Sequence, residues 1–508
     1  MMTKRVRLSW VAMMVAAIFF IADAFSVTAS AAQKVEPSKL EMTAESTSPV
    51  KGSTGKSSNP MRDASDEAKE AAETVADASK TEDVSDKSDD KEDNKSSEEK
   101  ETVKSGRDVI AAEQKRKKRD FSAKPEKMIR VGLATGQSMA AISAGDGFVV
   151  RDESTGKGLE QRGKGETLMV TVRDHQMMLN GKAVSARKIR IATADDRSSM
   201  RLTYAGNPYH GEFVIVLDGN TLTVINEVGI DDYIGGVVDE EMGADWPIEA
   251  LKAQTVAART FAMYSMKRHD DEGFDVCATT HCQVYGGISS ESRNGLSAVS
   301  ATRGEIMVYD DKPIYAAFHA SAGGWTAGSD EMGLDAVPYL KSVRSDDTFA
   351  PGCHWQEEVS VNDLSIALRS NGYAIGKLKK IELSPLDDEK VSKKSEMAGR
   401  YPSGHVKTVK FIGSNKTVEV DGYELRSMFG LNSTCFDIRY GTKSSSKPNT
   451  KGVIEIKHPA TDHIVFDGYG MGHGMGMSQW GAYKMAQTKG YRDILNHYYT
   501  NISFKKLF

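Results

Sequence analysis

The chain has 508 residues, 39% of them hydrophobic, and a formal net charge of −5. That balance argues against a nucleic-acid partner, which calls for a concentrated basic surface. The length permits a large core, but the apolar residues are spread unevenly along it.

Residues 1–31 read as an export signal. Lys4, Arg5 and Arg7 precede an apolar run over 8–22, and Ala29-Ser30-Ala31 supplies a small-residue cleavage site. Asp23 interrupts the run and leaves it short of the ~20 residues that a spanning helix needs, which favours a cleaved signal over a retained anchor. The rest is expected to work outside the cytoplasm, secreted or associated with the cell envelope. Residues 32–127 are poor in aromatics and rich in Ser, Lys, Asp, Glu, Thr and Ala. Such a segment cannot bury enough apolar surface to offset its ordering entropy, so a disordered linker is expected. The basic cluster Lys115-Arg116-Lys117-Lys118-Arg119 reads as its solvated end.

Residues 128–508 are expected to fold as one domain. Short alternating runs at 129–133, 148–150, 168–172, 189–191, 213–217 and 222–226 read as strands, with Asn180-Gly181 and Asp218-Gly219 as hairpin turns. Helices are expected at 231–238, 247–268 and 295–302, then strands at 305–308 and 314–318. A β-rich stretch follows over 377–412, with a short helix at 421–429. Ser478 can cap a last helical stretch, which Gly490 interrupts before 492–499. The expected class is α+β.

The candidate chemistry starts at Asp239-Glu240-Glu241, which precedes an alanine-rich helix opened by Pro247 and Glu249. Lys252 and Arg259 lie seven residues apart, about two turns, and so share one helix face. An acid at the mouth of a rigid helix, with cations on that helix, marks a candidate site. The four cysteines, Cys277, Cys282, Cys353 and Cys435, invite two disulfides in an oxidising compartment. Cys277 and Cys282, with His281 and the upstream His269, equally suit a structural zinc site. Both readings stand, and neither makes these residues catalytic.

His319 and Ser321 follow an apolar run, ahead of a Gly323-Gly324 turn. No orienting acid is evident, so substrate contact is expected of them rather than serine nucleophile chemistry. The glycine-rich stretch 468–481 lacks the Lys-Ser/Thr of a phosphate-binding loop and instead allows close backbone approach to a sugar or a neighbouring element. His473 and Gln479 supply polar groups there, and Trp480, Tyr469 and Tyr285 are candidate stacking surfaces.

The 239–262 segment, Gln283-Val284-Tyr285-Gly286-Gly287, His319-Ala320-Ser321-Ala322-Gly323-Gly324 and the stretch from Gly470 to Ala482, taken in order, resemble the SpoIID/LytB family. The resemblance runs from about residue 128 to the C-terminus. It implies sheet-rich lobes around a helical hub, and an activity on peptidoglycan glycan strands already stripped of stem peptides. Members resembling the sporulation protein are lytic transglycosylases that cleave between N-acetylmuramic acid and N-acetylglucosamine, giving a 1,6-anhydro product. Because the substrate's own C6 hydroxyl attacks, one carboxyl suffices where ordinary glycosidases need two.

The resemblance puts the catalytic glutamate at Glu241, in a Glu-Met pair where Gly243 stands in place of the family's frequent proline. It implies substrate contacts from Lys252, Arg259, His319, Ser321, His473 and Gln479. It also implies zinc held by His269, Cys277, His281 and Cys282, and no catalytic cofactor. The alternative it offers is a non-catalytic enhancer that binds wall and stimulates an N-acetylmuramoyl-L-alanine amidase.

Overall fold

Two sheets build the first part of the domain, with strands such as Met139–Ala144 alternating buried and more exposed side chains and the central Thr221–Gly229 buried along most of its length. In the computed structural model the described residues are 126–145, 147–193, 201–384, 400–447 and 451–508. The expected export signal and the linker up to residue 125 lie outside them. A seven-stranded sheet runs in the order Val276–Cys277, Met128–Gln137, Thr221–Gly229, Glu212–Asp218, Lys188–Thr193, Phe148–Asp152, Gly158–Arg162. Its neighbours pair antiparallel, while Val276–Cys277 joins in parallel. A six-stranded sheet runs Asn207–Tyr209, Leu202–Tyr204, Met139–Ala144, Thr167–Arg173, Gln176–Leu179, Lys182–Val184. Ile129, Val131, Phe148 and Val150 from the first sheet meet Ile142, Leu168 and Val170 from the second in one core. Each such burial is worth about 1.5–3 kcal/mol. The expected Asn180-Gly181 turn has φ of 46° and 82°, the left-handed pair that a two-residue hairpin requires.

The strand Thr221–Gly229 passes directly into helix α1 (Ile230–Glu241). Helices α2 (Ile248–Tyr264) and α3 (Arg293–Ala301) follow. Ala250, Ala253, Ala257 and Ala258 of α2 are wholly buried, and these small side chains let α1, α3 and the strand Glu305–Tyr309 pack closely on it. The helix stops short of the expected residue 268 because Lys267 turns into the left-handed region at φ 71°. The expected strand over 314–318 is reduced to Phe318–His319, paired in parallel with Met477–Ser478. Within that pairing the Ala317 carbonyl accepts the Met477 N–H at 3.1 Å, and it also accepts the Tyr499 hydroxyl at 2.6 Å.

A second sheet-rich region has its own core, including Leu364, Leu368, Val409, Phe411, Leu425 and Phe466. It combines a three-stranded sheet (His354–Ser360, His463–Tyr469, Phe436–Tyr440) with a four-stranded one (Thr417–Asp421, Thr408–Gly413, Leu378–Glu382, Val453–Glu455). Helices α4 (Val361–Ser370) and α5 (Gly422–Phe429) pack there. The chain returns to the hub as α6 (Gln479–Met485) and α7 (Tyr491–Tyr498), both of which pack on α2. The class is α+β, as expected. Among the described residues no helix is long and apolar enough to cross a membrane.

Candidate functional site

Three consecutive acids end α1, and each finds a different partner. Asp239 accepts the Ser292 N–H at 2.7 Å, beside the start of α3. Glu240 accepts the Ser290 hydroxyl. Gly286 makes room for that contact, since a Cβ there would lie 1.9 Å from Ser290 Oγ and 3.0 Å from Glu240 Oε1. Glu241 meets the backbone N–H of Val284. Its half-buried carboxyl is pushed up to about 7, first by loss of water and second by the neighbouring Glu240 charge, while the Val284 N–H opposes the rise.

Gln479, the first residue of α6, donates through Nε2 to the backbone carbonyl of Glu241 at 3.0 Å. Ser478 caps that helix by accepting Gly481 N–H at 3.1 Å, and its own hydroxyl donates to Asp347 Oδ2 at 2.5 Å. Asp347 has no solvent exposure. It also accepts Ala322 N–H at 2.6 Å and Gly324 N–H at 2.9 Å. This carboxylate therefore fastens the Gly323-Gly324 turn to α6. Sequence reading missed it, because an acid in a loop without a motif gives no signal.

His319 and Ser321 are buried in the same stitching. His319 Nδ1 donates to Met475 O at 3.0 Å, and burial pulls its pKa down to about 3. Ser321 Oγ lies 3.4 Å from both Asp347 O and Cys353 Sγ, so its side chain is not paired with the imidazole. His473 Nδ1 accepts Met475 N–H at 3.1 Å, with its ring 5.4 Å from that of His319. Burial, and then His319, hold it well below the usual histidine value. Burial thus favours the neutral form of both rings. His319 and Ser321 lie inside the stitching between the loops, whereas His473 is half-buried.

The two cations of α2 part company. Lys252 is half-buried and pairs with Glu249 at 2.6 Å, with its ammonium 5.9 Å from the Tyr491 ring. Arg259 is fully buried. Its Nε donates to Asp231 Oδ1 at 2.7 Å, and its Nη1 donates to the Thr302 and Glu305 carbonyls at 3.0 Å each. A guanidinium without exposure offers nothing to a substrate, so the structure replaces the expected Arg259 contact with a core role. Tyr285 is likewise a core residue, bonded to Asn226 Oδ1 at 2.9 Å, whereas Tyr469 is 37% exposed. Trp480 belongs to a surface cluster, its ring 4.8 Å from Trp246 and 5.8 Å from Phe349.

His269, Cys277, His281 and Cys282 converge, with one ligand atom from each within 4.8 Å of the others. Cys277 Sγ is 3.5 Å from His281 Nδ1, and Cys282 Sγ is 3.5 Å from His269 Nε2. These separations and the two-sulfur, two-nitrogen set fit a closed structural zinc site. Glu272 lies 2.5 Å from His269 Nδ1 and so turns Nε2 toward the cluster. All four cysteines of the chain are free thiols. Cys282 is two residues from Val284, so the cluster lies next to the segment that faces Glu241.

The model of the SpoIID family, described as "Stage II sporulation protein", matches residues 218–309, which hold Glu241 and the histidine–cysteine cluster. An uncharacterized protein of Brachyspira hyodysenteriae is 32% identical over 339 residues, 66% of this chain and 82% of that one. The stage II sporulation protein D of Bacillus subtilis is 30% identical over 295 residues, 54% of this chain and 74% of that protein. The amidase enhancer of Bacillus subtilis is 29% identical over 373 residues, 66% of this chain but 49% of that protein, so the chain spans about half its length. With the ordered motifs now placed on one α+β framework, the chain belongs to the SpoIID/LytB family.

Proposed function

We propose that this chain is a peptidoglycan lytic transglycosylase of the cell envelope, acting on denuded glycan in sporulation or wall remodelling, with Glu241 as its acid and base. The observation that carries the reading is the half-buried Glu241 carboxyl, raised to about 7, next to a Glu240 already committed to Ser290. A carboxyl with that value is part protonated near neutrality and can both give and accept a proton.

In the proposed reaction, protonated Glu241 donates to the glycosidic oxygen as the bond from muramyl C1 to that oxygen breaks. The muramyl C6 hydroxyl forms a new bond to C1, and the Glu241 carboxylate takes the hydroxyl proton. The products are a 1,6-anhydromuramyl end and a free 4-hydroxyl on N-acetylglucosamine, with no water consumed. Gln479 and Val284 fix the acid by its backbone and its carboxyl. Zinc, when held by His269, Cys277, His281 and Cys282, supplies structural fastening of the Val284 segment. An export signal at 1–31 and a linker at 32–127 fit delivery to the wall.

The test digests amidase-treated glycan with wild type and Glu241→Gln and weighs the products by mass spectrometry. The expected result is anhydromuramyl product from wild type alone. Reducing-end products would point to hydrolysis and a second carboxylate. Absence of product, with faster amidase action on addition of the chain, would favour a non-catalytic role like that in the amidase enhancer's name.

A further inference from the structure

Beside Glu241 the surface carries an aromatic patch that the proton-transfer chemistry leaves unused. Trp246 lies in the loop after Glu241, and Trp480 directly follows Gln479. Both indoles are half-buried, and Tyr483 closes against them at 5.1 and 5.4 Å. Phe349 stands edge-on to Trp480 at 5.8 Å and 89° and is 47% exposed. A large apolar ring backed by indoles yet left open to water suits a flat apolar ligand, and the electron-rich face of an aromatic ring attracts polarised C–H bonds. The C–H face of a pyranose is such a surface.

One cation sits on this patch. Lys484 lies one helical turn beyond Trp480, is exposed, and holds its ammonium 5.8 Å from the Phe349 ring centre. It joins no ion pair among the described residues, unlike Lys252, which is paired with Glu249.

We propose that Phe349 and Trp480 stack a sugar of the glycan strand while Lys484 binds the free lactyl carboxylate of an N-acetylmuramyl residue. The inference rests on the transglycosylase reading and names what would select its substrate. In intact peptidoglycan the lactyl carboxyl is consumed in the amide bond to the stem peptide. Stripping the peptide leaves an anion on every muramyl residue, and N-acetylglucosamine has none. A single ammonium beside the stacking ring distinguishes these cases by charge.

Binding is measured by calorimetry on the full chain carrying Glu241→Gln, which removes turnover. The ligands are soluble amidase-treated glycan and the same glycan with its carboxylates converted to methylamides by carbodiimide coupling. The parent is expected to bind the free-carboxylate form about two- to fivefold more tightly, as for one exposed ion pair. Adding Lys484→Gln should abolish that preference and leave methylamide binding unchanged. Adding Phe349→Ala should weaken both ligands about tenfold. Both positions are exposed, so matching thermal melts will show intact folding. Retention of the preference by Lys484→Gln, or unchanged binding by Phe349→Ala, overturns the proposal. Selective binding by the parent, alongside a wild type that makes no anhydro product, leaves this surface standing and removes the transglycosylase reading.

Discussion

The Gln479 side-chain amide donates to the backbone carbonyl of Glu241 at 3.0 Å, joining the end of α1 to the start of α6 across 238 residues. The last carbonyls of any helix lack an intrahelical partner, and here the unpaired group belongs to the candidate acid itself. Behind Gln479 stand Ser478 and then Asp347, which also grips the backbone at Ala322 and Gly324. The carboxyl is thereby positioned by residues distant in sequence.

Replacing Gln479 with Leu should therefore lower kcat more than it raises KM. The variant keeps the volume but leaves the Glu241 carbonyl unpaired, a cost of about 1–3 kcal/mol where the group is buried. A drop of roughly tenfold or more in kcat is expected from a displaced acid. Steady-state kinetics together with a thermal melt check this, and a loss confined to KM would show that Gln479 contacts substrate instead.

The raised Glu241 value sets a pH dependence with a definite sign. The folded value of about 7 lies above the 4.5 of an ordinary glutamate. The folded state thus favours the protonated form. That stabilisation is complete below 4.5 and is lost as pH rises through about 7. Glu241→Gln should melt with the wild type at low pH and at progressively higher temperature than wild type between these values. Glu331, also buried and raised to about 7, titrates in the same window, so the difference between the two proteins is the quantity to follow. Activity should fall on the alkaline side of about 7 as the acid loses its proton. A melting gap independent of pH would refute the assignment.

Features written in short-range pattern were legible in the sequence. The alternating runs became strands, Asn180-Gly181 became a left-handed turn, and the alanine-rich run became a buried helix. Helix α4 escaped notice, although Ser360 caps it by accepting the Asp363 N–H at 3.0 Å. Asp347 was equally invisible, since its importance comes from three partners that only tertiary folding assembles. Helical spacing rightly put Lys252 and Arg259 on one face of α2. Spacing does not say what covers each end of a face, and one end lies at α7 while the other is sealed by Asp231 and two carbonyls.

Metal analysis of purified chain should find one zinc per molecule, and Cys282→Ser should reduce it. Loss of the ion should lower the melting temperature by roughly 5 °C or more, because binding energy at such a site is folding energy. Since Cys282 lies two residues from Val284, activity should fall with metal content and return on adding zinc. Full stability in Cys282→Ser would exclude a structural role for the cluster.

Arg259 separates a core role from a substrate role most cleanly. Arg259→Leu would strand the Asp231 carboxylate and the Thr302 and Glu305 carbonyls inside the protein. Breaking a buried pair from one side typically costs about 3–5 kcal/mol. Asp231→Asn still accepts the Gly304 N–H, which Asp231 Oδ2 meets at 3.2 Å. The double variant Asp231→Asn/Arg259→Leu should therefore recover part of the loss, giving a non-additive cycle. Because Arg259 has no exposure, KM of whatever folded fraction survives should match wild type. Denaturant melts of the four proteins measure the coupling, and kinetics on the folded fraction measure the rest. Additive energies with a large rise in KM would return Arg259 to the substrate.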